Sequence, residues 1–280
     1  MDDRSPLDRL QDVRPPEGAL ALAWLGQAGF VVRADSAVAL IDPFLAPRDG
    51  RLYESSLLPD RAQGVDLVLC THEHVDHFDA ASAPAIAKAS PGALFVVPTP
   101  IVDMVTESGV GGDRVAGIQP GEILEVAGIT IRAVPAMHGV TMEDAYGFGE
   151  ELSGGLIRFV GYVLDAGGVR LYHAGDTIHY PGMEAALSEL SLDLAMLPIN
   201  GRDPGREARG IVGNLSEREA AWLAGAIGAQ AVVPMHYDLF ARNRGYPSRL
   251  VESVERDNLG IHVLVPARDR PFVWATERAA

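Results

Sequence analysis

The sequence predicts an α/β fold built from layered strands and helices. Two observations carry that reading. Between residues 65 and 134 short apolar runs of strand character alternate with helical segments. Before them, residues 19–41 read as an antiparallel meander, with apolar segments punctuated by glycine and turn residues. A chain of 280 residues, 48% of them hydrophobic, is long enough to bury a sizeable core. Residues 1–18 are polar, end in Pro15-Pro16-Glu17-Gly18 and read as an unpacked lead-in arm, leaving 19–280 as a single domain.

The core begins with residues 19–25, 30–33 and 38–41, separated by Gly26, Gly29 and Ala34-Asp35-Ser36. Residues 43–64 carry proline, glycine and charge without periodicity and read as a loop that could cover a site. The run Val65-Asp66-Leu67-Val68-Leu69-Cys70 reads as a buried strand, and residues 79–89 as a helix with Asp79 as N-cap and Ser90-Pro91-Gly92 as its stop. A strand at 93–97, a helix at 99–108 opened by Thr99-Pro100, and strands at 114–118, 123–126 and 129–134 follow. Residues 139–155 form a loop expected to move, because Gly147, Gly149, Gly154 and Gly155 cost entropy to order. Residues 159–164 and 169–172 form a hairpin around Asp165-Ala166-Gly167-Gly168, and 192–199 is an apolar strand. Ser216 caps a helix through 227 with Glu219 in the capping-box position. A strand at 231–235, a helix at 248–258 and strands at 261–265 and 272–275 are expected to complete a second layer. No internal repeat or low-complexity segment stands out.

The chemistry concentrates in Thr71-His72-Glu73-His74-Val75-Asp76-His77, directly after a buried strand. One histidine beside a strand is usually a hydrogen-bonded or solvated residue, but three imidazoles and a carboxylate within six positions point to a metal site. His72 and His74, two apart, can point the same way while the chain is extended, whereas Asp76 and His77 fall a turn later and face elsewhere. That spacing suits two metals better than one. Imidazole with carboxylate suits Zn, Mn or Fe. Glu73 reads as a solvated residue or one supporting a ligand, and Asp42 before Pro43 as either a supporting carboxylate or a turn former.

The formal charge of −15 argues against a broad nucleic-acid surface, while a small anionic substrate would need only a local basic pocket. The acidic N-terminus is not followed by a signal-type apolar stretch and no run approaches a membrane span, so a cytoplasmic protein is expected. Cys70, the only cysteine, reads as a core thiol. A homo-oligomer stays open.

These residues resemble the metallo-β-lactamase superfamily, whose signature is H-x-H-x-D-H after a core strand. Trp24-Leu25-Gly26-Gln27-Ala28-Gly29-Phe30 and Ile41-Asp42-Pro43 look like its opening strands. Pro135-Ala136-Met137-His138-Gly139, at a strand end, matches the place of its third histidine, Asp176 in Gly175-Asp176-Thr177 that of its bridging aspartate, and His236 that of its last histidine. The resemblance implies an αβ/βα four-layer sandwich with two divalent metals, Zn or Mn, at one edge of the facing sheets. It implies that His72, His74 and His138 hold the first, that Asp76, His77 and His236 hold the second, and that Asp176 bridges them. The branch most similar is the L-ascorbate-6-phosphate lactonase-like one, on His173-Ala174-Gly175-Asp176-Thr177 with His179-Tyr180, Pro234-Met235-His236-Tyr237-Asp238 and Pro271-Phe272-Val273-Trp274.

The expected function is therefore hydrolysis of a small lactone or ester, phosphorylated or not, by a hydroxide activated by the two metals, with Asp76 orienting the water or accepting its proton. His179, Tyr180 and Arg202 are candidates to assist the leaving group. For His179 and Tyr180 a plain loop role is an equal alternative. Arg202, Arg206 and Arg209 could grip a phosphate or carboxylate, or be solvated loop charges. His173 reads as a structural hydrogen-bonding residue. Three other functions compete: cleavage of a small phosphodiester, diiron redox chemistry, and metal binding without catalysis.

Overall fold

The computed structural model describes residues 4–35, 37–139, 147–209 and 212–277. In chain order its strands are β1 (Ala19–Gly26), β2 (Gly29–Ala34), β3 (Ala37–Ile41), β4 (Leu67–Leu69), β5 (Leu94–Pro98), β6 (Val115–Ile118), β7 (Ile123–Val126), β8 (Ile129–Pro135), β9 (Val160–Ala166), β10 (Val169–His173), β11 (Leu194–Pro198), β12 (Ala231–Met235), β13 (His262–Val263) and β14 (Phe272–Ala275). The helices are α1 (Pro6–Gln11), α2 (Ala83–Ala89), α3 (Val102–Glu107), α4 (Met183–Ser188), α5 (Pro204–Glu207), α6 (Glu217–Ala226) and α7 (Pro247–Arg256). The strands form two seven-stranded sheets, ordered β14-β1-β2-β3-β4-β5-β6 and β13-β12-β11-β10-β9-β8-β7.

Strand periodicity sorts the core into layers. Along β1, Leu20, Leu22 and Trp24 enter a cluster with Tyr162, Leu164 and Leu171 of the other sheet, while Ala21, Ala23 and Leu25 face a second cluster with Leu7, Leu10, Ile86 and Val105. Residues buried on both sides of the strand explain why it reads as a continuous apolar run rather than an alternating one. Helices α1, α2 and α3 thus cover the outer face of the first sheet. Leu223 and Ala224 of α6 and Leu250 and Val254 of α7 pack in the cluster that holds the second sheet. The architecture is the expected αβ/βα sandwich.

Two expectations are corrected. Residues 6–11 of the lead-in arm form a packed helix, with Leu7 and Leu10 fully buried. Ser5 and Asp8 make a reciprocal capping box that satisfies the first turn, and two leucines three apart on one face were too short a pattern to reveal it. Strand β14 does not join the second sheet with β13. It pairs antiparallel with β1, Ala19 opposite Ala275, and so covers an edge of the first sheet. Of the loop expected to move, residues 140–146 lie outside the described residues. The 43–64 loop lies against the 237–240 segment: Arg51 bridges Phe240, and Leu52 N–H donates to Leu239 O at 2.9 Å. Among the described residues no helix is long and apolar enough to cross a membrane.

Topology brings the critical segments to one edge. β3 and β4 run parallel, so Asp42 and the 71–77 motif emerge together. β8 and β10 are each antiparallel to β9 and therefore share a direction, which β11 and β12 continue in parallel. Their C-terminal ends deliver His138, Asp176 and His236 to a common edge. The two edges are joined where Val160 N–H donates to Thr71 O at 3.1 Å and His236 N–H to Gln27 O at 2.8 Å.

Candidate metal centre

All seven side chains implied as ligands converge. Three groups have donor atoms within 4.8 Å of one another: His72, His74 and His138; Asp76, His77 and His236; and, between them, His72, His77 and Asp176. Asp176 Oδ1 lies 3.3 Å from both His77 Nε2 and His236 Nε2, while its Oδ2 lies 3.5 Å from His138 Nε2. One carboxylate therefore faces both halves of the cluster. Gly175 allows this approach: it takes a φ of +61°, and a side chain there would meet Thr71 Cβ and Val160 O at 2.9 Å.

Partners outside the seven hold the cluster in place. The Asp42 carboxylate, fully buried, accepts the Thr71 N–H and hydroxyl at 2.8 Å each and lies 2.7 Å from His77 Nδ1. Asp42 is thus the supporting carboxylate rather than a simple turn former, and it leaves His77 Nε2 to face the cluster. Gln27 contributes an amide that donates to Asp76 Oδ2 at 2.8 Å and stands 2.9 Å from His236 Nε2. Its carbonyl also accepts the Trp24 indole N–H at 3.0 Å. Gln27, Asp42 and His236 all have positive φ, at 52°, 44° and 59°. Strain of that kind persists only where surrounding bonds over-determine the backbone. Glu73 points away and pairs with Arg158 at 2.7 Å, while His173 bonds Ala28 O and the Gly175 N–H, as its structural reading required.

The electrostatics favour a cation. Burial, then His77, holds His72 well below the usual histidine range, and burial, then His138, lowers His74 to about 4, so both stay neutral. Burial opposes charge on His77 and His236, but Asp176 with its neighbouring carboxylates outweighs it and raises both. Burial also opposes charge on Asp76 and Asp176, yet the imidazoles around them hold both below the ordinary carboxylate range. In the protein alone, the negative charge is matched by protons on imidazoles, and a divalent ion can replace such protons. His72 Nε2 is buried and has no hydrogen-bond partner among the described residues, as befits a nitrogen kept for a cation. The donor set fits a metal.

The cluster floors a cavity of about 470 Å³, lined by His74, Asp76, His138, Asp176 and His236 together with Val75 and Phe240, and by Arg48, Arg242 and Asn243. The proposed leaving-group residues fall elsewhere. The Tyr180 hydroxyl donates to Pro135 O at 2.8 Å and, through burial, is pushed up to about 12. His179 Nε2 lies 3.0 Å from Glu184, with its ring against Trp222, and Arg202 is exposed. None of the three lines the cavity. Arg206 is held by Gly201 O, Arg244 O and Asp203.

A cavity floored by histidines and aspartates at the joined edges of an αβ/βα sandwich defines a class, and the chain matches the model of the beta-lactamase superfamily domain over residues 39–237, so it belongs to that superfamily. Within it the chain belongs with the UPF0173 metal-dependent hydrolases. The protein of that name from Methanopyrus kandleri is 32% identical over 246 residues, covering 88% of this chain and 96% of the relative. A probable L-ascorbate-6-phosphate lactonase, UlaG, of Salmonella heidelberg is 28% identical over 224 residues, 77% of this chain but 60% of that protein. Igni18, a metallo hydrolase from Ignicoccus hospitalis, shares the fold with a TM-score of 0.68 at 23% identity, covering 92% of this chain and all of that one.

Proposed function

We propose that the chain hydrolyses a small lactone or ester, the phosphorylated members of that class included, with two divalent ions, Zn or Mn. His72, His74 and His138 would hold one ion, Asp76, His77 and His236 the other, with Asp176 between them. The observation that carries this reading is the convergence of all seven side chains, five of which, His74, Asp76, His138, Asp176 and His236, floor a cavity of about 470 Å³, a size suited to a small molecule. The likeness to a named lactonase supports the lactone within the ester class.

The bound ions would supply a water acidified to near neutral pH and Lewis acidity toward the substrate oxygen. The rest falls to the chain. Asp76, held by the Gln27 amide at 2.8 Å, orients the attacking water and accepts its proton. Asp42 fixes the His77 ring and its tautomer. Phe159, with its ring 5.4 Å from that of His72 and 5.0 Å from that of His138, keeps bulk water from the inner side of the cluster.

The test is a screen of metal-loaded protein against lactones, carboxylic esters, thioesters and phosphodiesters, with metal content measured alongside. Turnover of lactones or esters is expected. Hydrolysis of bis-p-nitrophenyl phosphate alone would replace the proposal with a phosphodiesterase, iron with oxidase turnover would replace it with redox chemistry, and metal uptake without any turnover would leave a binding protein.

A further inference from the structure

The cavity wall carries two arginines that the cluster does not use. Arg48 comes from the 43–64 loop and Arg242 from the segment after β12, and both line the cavity. Cations are scarce in this chain, with 23 Lys and Arg against 38 Asp and Glu. Other arginines nearby are committed. Arg51 donates to Ala46 O and Tyr53 O and lies over Phe44. Arg268 lies over the Tyr53 ring and 3.8 Å from Asp238, and Arg158 holds Glu73. Arg48 and Arg242, by contrast, form no side-chain hydrogen bond or ion pair among the described residues.

The backbones that carry them are pinned to each other. Arg51 bridges Phe240, Leu52 N–H donates to Leu239 O at 2.9 Å, and the Tyr53 hydroxyl donates to Asp238 at 2.6 Å. Asp238 also accepts the Gln27 N–H at 3.4 Å, tying both loops to the hairpin that supports Asp76. Beside Arg242, Asn243 receives the Asn200 amide at 2.8 Å and lines the same wall. Two unspent guanidiniums thus stand on a braced wall over the cluster, in a protein whose net charge repels anions elsewhere.

We propose that Arg48 and Arg242 form an anion clamp that selects substrates carrying a carboxylate or phosphate group apart from the bond that is cleaved. This inference rests on the hydrolase reading above. Guanidinium suits the role because its planar fork meets two oxygens of such a group at once, without competing for the bond under attack. The clamp sets substrate choice, while the metal cluster sets the chemistry.

The test compares wild type, R48Q, R242Q and the double variant, all metal-loaded, on p-nitrophenyl acetate and on mono-p-nitrophenyl succinate. The two esters share a leaving group, and only the second carries a remote carboxylate. The ratio of their kcat/KM values is expected to shift toward the neutral ester by about tenfold for each variant and about 100-fold for the pair, chiefly through KM. Both side chains are exposed, so the substitutions threaten the fold little. A ratio unchanged within about threefold overturns the clamp while leaving the hydrolase reading intact. Should neither ester be cleaved, calorimetry with inorganic phosphate decides separately: at least tenfold weaker binding by the double variant upholds the clamp, and equal binding overturns it.

Discussion

Asp42→Asn separates a supporting role from a merely structural one. One Asp42 oxygen accepts the Thr71 N–H at 2.8 Å; the other lies 2.8 Å from the Thr71 hydroxyl and 2.7 Å from His77 Nδ1. An amide of the same shape keeps an acceptor for the backbone but turns an NH2 donor toward His77. His77 then keeps the contact only by accepting at Nδ1, which moves its proton to Nε2, the nitrogen 3.3 Å from Asp176. That nitrogen no longer offers a lone pair to a cation. Losing the outer partner of a ligand histidine costs about 10- to 100-fold in metal affinity, equivalent to about 1.4 to 2.8 kcal/mol of metal-linked stabilisation. The assay is thermal unfolding with added Zn or Mn and again with chelator, for wild type and D42N. The metal-induced rise in Tm should shrink by several degrees in D42N, with elemental analysis showing reduced metal per chain. An equal rise and equal metal content would refute control of His77 by Asp42.

Asp176→Ala removes the carboxylate facing His77, His138 and His236 and should lower metal content and activity together; full occupancy of both ions, read by elemental analysis, would end its bridging role. Gly26→Ala would drive a Cβ into the Tyr53 hydroxyl at a φ of +98°, so loss of the Tyr53 to Asp238 bond and about 1–3 kcal/mol of stability is expected in denaturant unfolding. Leu10→Ala empties a fully buried position in α1 and should cost about 2–5 kcal/mol, whereas an unpacked arm would lose less than about 0.5 kcal/mol. Gln27→Ala frees Asp76 and His236 from their shared amide and should lower metal affinity about tenfold, measured by competition with a chelator of known affinity.

The layering was legible because strands buried on both faces leave continuous apolar runs, as β1, β4 and β12 do. Helix α1 was not, since six residues hold too few turns to display a period. The placement of β14 was hidden for another reason: its partner β1 lies at the opposite end of the chain, and no local pattern encodes a pairing of that range. The motif at 72–77 was readable because its ligands are contiguous. His138, Asp176 and His236 stand singly at strand ends, and only their order matched to a family pattern joined them to it. Gln27 carried a fainter signal, a polar residue between Gly26 and Gly29 in a hairpin of otherwise apolar flanks, but its positive φ and its reach to Asp76 are properties of the folded edge.

Arg48 and Arg242 mark where reading by pattern ends, and the reason bears on substrate choice. The ligand residues follow strands, so the sheets place them before any loop is considered. The arginines sit in segments without periodicity, and they line one cavity where the 51–53 and 238–240 stretches bond to each other. Such a wall can change sequence without disturbing the cluster beneath it, since no described hydrogen bond links either guanidinium to a ligand. Substrate preference and metal chemistry are then separable in this fold: substitutions at Arg48 and Arg242 should move KM between anionic and neutral esters, and substitutions at Asp42 or Gln27 should move metal content for both alike. A single variant at the wall that stripped the metal would break that division.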